Sequence, residues 1–207
     1  MNRRTFAAAT ATALALPRLA LAQGQFAYTE LKQQQPRETS SNKIEAIEFF
    51  WYGCPHCYNL EPALEGWLKK LPKDVQFVRV PAVLSDQWQY DAAVFYTFEA
   101  MKLVDKLHRP FFDAIHRDGL RTSNQQALAE WLKKQGVDDK RFFDTMKSMG
   151  VDTRVRRAAH LTVAYRIDGT PAMAVAGRYT VSAQQGKSHQ GMLDTVDYLF
   201  GVVRKQK

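Results

Sequence analysis

The stretch Phe49-Phe50-Trp51-Tyr52-Gly53-Cys54-Pro55-His56-Cys57-Tyr58 holds both cysteines of the chain. Set close together behind a run of aromatics, they admit three readings: a disulfide staple, half of a metal site, or a redox centre. A bridge with only two residues between its ends closes a tiny loop, and on the chain-entropy model it braces a fold poorly. A structural zinc site wants four ligands. The chain has no further cysteine, and His108, His116, His160 and His189 show no ligand spacing. No metal and no other cofactor is expected.

The flanks of the pair favour redox chemistry. Lys43 to Trp51 becomes continuously apolar toward its end, as a central buried strand does, apart from an odd Glu48. Behind the pair, Leu60, Leu64, Trp67, Leu68 and Leu71 fall at helical spacing. This predicts a helix from about Pro55 to Lys70, kinked at Pro62. Val75 to Pro81 alternates as a second strand, completing a βαβ unit. A C-x-x-C that follows a strand and opens a helix in such a unit has the placement of a thioredoxin-like redox centre.

From about Ser85 to Ala159 strand signals vanish and helices are expected. Val94, Phe95, Phe98 and Met101 mark one, and Phe111, Phe112 and Ile115 a short second. Ser123-x-x-Gln126 reads as a capping box, with Gly136 as the stop. Asp138 caps a helix ended by Gly150, and Asp152 starts a longer one to about Arg166. Aromatics at this spacing are core, not a cofactor pocket. Strands return at 172–175 and 178–181, joined through Ala176-Gly177, and a last helix runs through Met192 to Val203. A short extended piece is expected around Phe26 to Leu31.

The chemistry follows from position. Cys54 caps the helix, facing unpaired N–H groups and the positive end of the helix dipole. A thiolate there is stabilised, so its pKa falls below that of a free thiol. Pro55 suits the first helical position without losing a hydrogen bond. The His56 ring can carry a positive charge or donate to the Cys54 sulfur. Stabilising the thiolate favours the reduced form and makes the disulfide an oxidant. Cys57, one turn on, is expected to be buried and to resolve mixed disulfides.

The N-terminus reads as a signal peptide over 1–22. Arg3-Arg4 is a basic head, Phe6–Leu16 an apolar core, and Ala20-Leu21-Ala22 a cleavage site before Gln23. Arg3-Arg4-Thr5-Phe6 also resembles a twin-arginine signal, though general secretion is favoured. Removing 1–22 takes away Arg3, Arg4 and Arg18 and no acid, lowering the net charge from +8 to +5. That surplus, without a basic patch backed by aromatics, gives no nucleic-acid site.

The motifs Glu48-Phe49-Phe50, Cys54-Pro55-His56-Cys57-Tyr58 and Gly169-Thr170-Pro171-Ala172-Met173 resemble those of the DsbA family of bacterial thiol:disulfide oxidoreductases. That family is itself the standard illustration of a low thiol pKa and an oxidising disulfide, so these properties also come with the resemblance. It implies an α/β thioredoxin-like fold, β-α-β then β-β-α, with an inserted helical subdomain. On that reading 23–84 and 160–207 form the thioredoxin-like domain and 85–159 the insertion. It implies that Pro171 is the family's cis-proline and that the Thr170 backbone pairs with extended substrate. Glu48 matches a buried acid that would relay protons for Cys57, and Arg79 its basic partner. Pro62 departs from the second acid that some members carry after the position of Glu61.

The implied function is donation of the Cys54–Cys57 disulfide to unfolded exported proteins in the periplasm. Reoxidation would come from a DsbB-like, quinone-coupled membrane partner, and a monomer is expected. Apolar residues around the motif, including Trp51, would contact unfolded chains, with Tyr52 also expected at the surface. The alternatives are a reductase or isomerase, and a redox-inactive peptide-binding chaperone. An isomerase of the DsbC type carries a separate dimerisation domain for which this chain has no room, and intact cysteines argue against the chaperone.

Overall fold

A computed structural model describes residues 26–35, 37 and 42–206. The signal peptide expected over 1–22, with its cleavage after Ala22, lies outside them. The central strand β2 (Ile44–Phe50) is buried along its whole length, Glu45 and Glu48 included. After the motif comes α1 (Pro55–Leu68), then β3 (Val75–Pro81), parallel to β2. β4 (Ala172–Val175) lies antiparallel on the other side of β2, and β5 (Tyr179–Ser182) follows it. The short β1 (Thr29–Glu30) closes the sheet, whose order is β1-β5-β4-β2-β3. This is the thioredoxin arrangement.

Five helices stand between β3 and β4: α2 (Asp86–Ala100), α3 (Val104–His116), α4 (Gln125–Lys134), α5 (Asp139–Met146) and α6 (Met149–Ala164). After β5 come a single turn, α7 (Ala183–Gly186), and then α8 (His189–Arg204). The sheet separates two cores. One face of β2 and the neighbouring strands packs on Leu60, Leu64 and Trp67 of α1 and on Met192, Val196, Leu199 and Phe200 of α8. Ile47 and Phe49 join the second core, which continues through Phe95, Phe98, Phe111, Phe112 and Phe142 into the helical insertion. Thr162 of α6 ties the insertion to the sheet by accepting from the Val83 N–H at 3.1 Å.

Several sequence expectations need correction. The α4 cap is Asn124, whose side chain accepts from the Ala127 N–H, not Ser123. Ser148 caps α6 through the Val151 N–H, so the helix starts at Met149 and not at Asp152. Gly150 therefore lies inside the first turn of α6 and does not end α5. Serine, asparagine and aspartate cap about equally well, so the backbone path and not the residue type chooses between neighbours. α6 ends at Ala164, close to the end expected near Arg166. Tyr52 is not a surface contact. It is 1% exposed and packs edge-on to Phe111, ring centres 4.7 Å apart. α1 continues unbroken through Pro62. The β4–β5 turn does use Ala176-Gly177, both at positive φ. Glycine is required at the second position, because a Cβ there would lie 2.3 Å from the Gln35 carbonyl oxygen.

Candidate active site

Two loops meet at the end of the sheet. One leads from β2 into α1 and carries the cysteines. The other, before β4, carries Thr170-Pro171, joined by a cis peptide bond. Cys54 takes an extended backbone (φ −86°, ψ 115°) as the cap of α1, with Pro55 in the first turn. Its sulfur accepts from the Cys57 N–H at 3.4 Å and lies 3.3 Å from the Thr170 carbonyl oxygen. The sequence places these groups because a cap must stand where the strand ends and the helix N–H groups begin.

The cap drives the two sulfurs apart in acidity. Cys54 is lowered from 9.0 to about 5, chiefly by the hydrogen bond from the Cys57 thiol. Burial opposes the shift, while Thr170 and the N–H groups of Cys57 and His56 add to it. Cys57, fully buried, is pushed well up by desolvation and by donating to Cys54. The pair therefore holds one thiolate, on Cys54, and one proton, on Cys57. The Thr170 hydroxyl is buried and completes no hydrogen bond. Its pull on the sulfurs is that of a nearby dipole. His56 contributes a backbone N–H. The ring is exposed and lines a groove of about 490 Å³ with Thr170, Pro171, Ser182 and Gln184. A larger groove of about 530 Å³ between α1 and α8 includes no residue of the motif.

A buried polar chain runs from β2 and β3 to α1 and α3. Glu48 of β2 stands directly opposite Arg79 of β3 in the parallel register, so the two share a face. Arg79 Nε is 3.2 Å from Glu48 Oε2, and Arg79 Nη2 is 3.4 Å from Glu61 Oε2. Glu61 Oε1 lies 3.4 Å from His108 Nε2, and His108 Nδ1 lies 2.9 Å from the Tyr52 hydroxyl. Burial raises Glu48 to about 8, against the pull of Arg79. Burial alone would raise Glu61 too, but the hydrogen bond from His108 and the charges of Arg79 and Arg109 bring it down. Burial lowers His108, against the pull of Glu61, and favours the neutral ring. Sequence reasoning singled out Glu48 and Arg79 but missed the roles of Glu61 and His108. Glu61 carried one signal: it follows Cys57 by four residues, on the same helix face.

Trp51 is positioned from the insertion. Its indole N–H donates to Asp91 Oδ2 at 2.6 Å, and its ring stacks on Trp88 with centres 4.5 Å apart. Asp91 is 2% exposed, and no cation pairs with it among the described residues. Instead Thr122 donates to Oδ1 at 2.6 Å and Gln87 at 3.3 Å. Gly53 leaves room for this indole, since a Cβ there would sit 2.2 Å from Trp51 Cζ2. Asp91→Asn puts an amide N–H where one donor now points. It is expected to cost about 1–2 kcal/mol and to change the tryptophan fluorescence, both read in one urea titration.

A capped thiolate, a buried partner thiol and a facing cis-proline loop define a thiol:disulfide oxidoreductase on a thioredoxin fold. The comparisons agree. The model of the DSBA-like thioredoxin domain matches residues 73–194. The thiol:disulfide interchange protein DsbA of Azotobacter vinelandii is 40% identical over 173 residues, 84% of this chain and 80% of that protein. DsbA of Bordetella parapertussis is 40% identical over 200 residues, 96% of this chain and 94% of its own. The crystal structure of Pseudomonas aeruginosa DsbA matches with a TM-score of 0.82 at 35% identity, covering 87% of this chain and 94% of that one. The chain belongs to the DsbA family.

Proposed function

We propose that this oxidoreductase runs as an oxidase, giving the Cys54–Cys57 disulfide to exported proteins in the periplasm. The observation that carries the direction is the thiolate on Cys54, stabilised to about 5 while Cys57 stays protonated. A well-stabilised reduced form makes the disulfide the less stable state and drives its transfer. A client thiolate attacks Cys54 Sγ, and the Cys57 sulfur leaves with the electron pair. A second client thiolate then attacks the client sulfur of the mixed disulfide, and Cys54 leaves as its stable thiolate. The client gains a disulfide and the enzyme two electrons.

Thr170, half-buried beside Cys54, would pair its backbone with an extended client segment across Pro171. Trp51, on its Asp91 anchor, would contact apolar client residues. Pro55 starts the helix whose N–H groups hold the thiolate. The buried Cys57 sulfur needs a proton as it leaves, and Glu48, protonated near neutral pH, would supply it with Arg79 beside it. Reoxidation falls to a DsbB-like quinone-coupled membrane partner, and the enzyme works as a monomer.

Titrating the thiolate absorbance of the reduced protein tests the direction. A midpoint near 5 that disappears in Cys54→Ser is the expected result. A midpoint near that of a free thiol overturns the oxidase reading and favours a reductase.

A further inference from the structure

The buried chain holds two carboxylates and one guanidinium. Glu48 and Glu61 have side chains 0% and 2% exposed, and Arg79 lies between them. A low-dielectric site with one cation in contact favours one ionised acid, and the other keeps a proton; Arg109 of α3 adds its charge to Glu61 without an ion-pair contact. Which acid keeps it decides whether the group in line with the proposed relay can give a proton at all.

The hydrogen bonds break the symmetry. Both oxygens of Glu48 lack a hydrogen-bond partner, because Arg79 Nε is close but misaligned. Glu61 has two donors. Arg79 Nη2 reaches Oε2 and His108 Nε2 reaches Oε1, each at 3.4 Å. His108 can donate there only if its proton sits on Nε2, leaving Nδ1 to accept. The Tyr52 hydroxyl, 2.9 Å from Nδ1, is the donor that fixes this tautomer. The opposite tautomer would need a protonated Glu61 facing Arg79, and the guanidinium would lose its better-aligned anion.

The surroundings hold His108 in this role. Phe50 and Phe112 pack against its ring at 5.3 and 5.2 Å, so the ring has no water to support a charge. The charged groups that face it are Glu61 and Glu65 of α1 and Arg79 of β3, with the Tyr52 hydroxyl from the loop. None of these residues is a cysteine or a substrate contact. His108 works on the chemistry only through Glu61.

We infer that His108 is a positioning residue that fixes the negative charge on Glu61 and so leaves the shared proton on Glu48. The inference deepens the proposed relay and rests on it for its functional meaning, but the location of the proton can be measured by itself. The relay needs a filled proton store for Cys57. His108 keeps the store filled by giving the competing acid a better partner.

The test is site-resolved carbon NMR of the glutamate carboxyls in the reduced full chain. Assignment comes from Glu48→Gln and Glu61→Gln. In the unaltered protein Glu61 should stay ionised through neutral pH while Glu48 titrates above it. In His108→Phe, which suits the aromatic surroundings but cannot donate, the two midpoints should move toward each other by about one pH unit or more. His108→Gln, which keeps an N–H donor, should restore the separation. In Glu61→Gln, where Arg79 has only one acid, the Glu48 midpoint should fall by about one unit or more. That arm stands even if His108→Phe fails to fold. A Glu48 midpoint unmoved in Glu61→Gln, or in a folded His108→Phe, overturns the inference. So does a proton on Glu61 in the unaltered protein. The relay is judged separately by Cys57 exchange rates in Glu48→Gln, where unchanged rates would end the relay and leave the proton placement intact.

Discussion

Reduced protein is expected to gain about 3 kcal/mol of stability over the oxidised protein between pH 4 and pH 7. The cause is Cys54 alone. Its folded pKa, about 5, lies below its ordinary value of 9.0. At pH 7 the unfolded thiol still holds its proton and the folded one has released it. A depressed pKa contributes stability above the unfolded value and loses it as pH falls through the folded one. The benefit therefore shrinks from pH 9 downward and is gone below about pH 5. Cys57 is shifted the other way and opposes only in alkali. The oxidised protein has neither thiol. Glu48, Glu61 and His108 occur in both forms and largely cancel in the difference. Urea unfolding of both forms at several pH values measures the gap. A gap flat between pH 4 and pH 7 would mean that Cys54 is an ordinary thiol. Expressed as a potential, about 3 kcal/mol corresponds to roughly 60 mV for a two-electron couple.

Arg79→Met is expected to cost about 3–4 kcal/mol at pH 7, a fall in melting temperature of roughly 10 °C for a chain of this size. Arg79 is the only cation in ion-pair contact with Glu48 among the described residues, and it also holds Glu61. Glu48 already keeps its proton near neutrality. Most of the loss therefore comes from Glu61, which must take up a proton it now does without. Both acids would then be raised above their unfolded values, so stability would fall as pH rises from about 4.5. At pH 4 the penalty should nearly vanish. Adding Glu61→Gln should recover about 1–2 kcal/mol, because the two changes act on one contact. A penalty equal at pH 4 and pH 7 would assign the loss to packing of the arginine stem.

Much of the fold was legible because β2, β3 and β4 are each carried by a run of apolar or alternating residues. The bounds of β3 and β4 match the sequence expectation. Helix starts in the insertion were less legible. Ser123 and Asn124 are both good caps, as are Ser148 and Asp152, and local sequence does not choose between neighbours of equal propensity. Tyr52 was misplaced because its position after the strand resembles a surface loop. The packing of α3 and of Phe95 from α2 against it makes it core. At the site, Cys54, Cys57, Thr170 and Pro171 stood out by motif. His108 did not. It comes 51 residues after Cys57 on a helix in which it reads as one more core position, and only the tertiary packing brings it to Glu61.

The sulfur of Cys54 touches the carbonyl of a residue 116 positions later. Glu48 likewise stands in register with Met173, although the whole insertion, Asp86 to Ala164, lies between them. Closing so long a loop from a formless chain costs entropy with every residue left free. The five inserted helices change that cost. They pack on one another, α2 on α3, α5 and α6, and each of these pairings closes a shorter loop than the pairing of β2 with β4. Once ordered, they leave only short connectors to β3 and β4. The insertion is thus a splint for assembly: as a chain emerges from one end, its reactive pair is complete only after the splint has carried the late strand back to the early one.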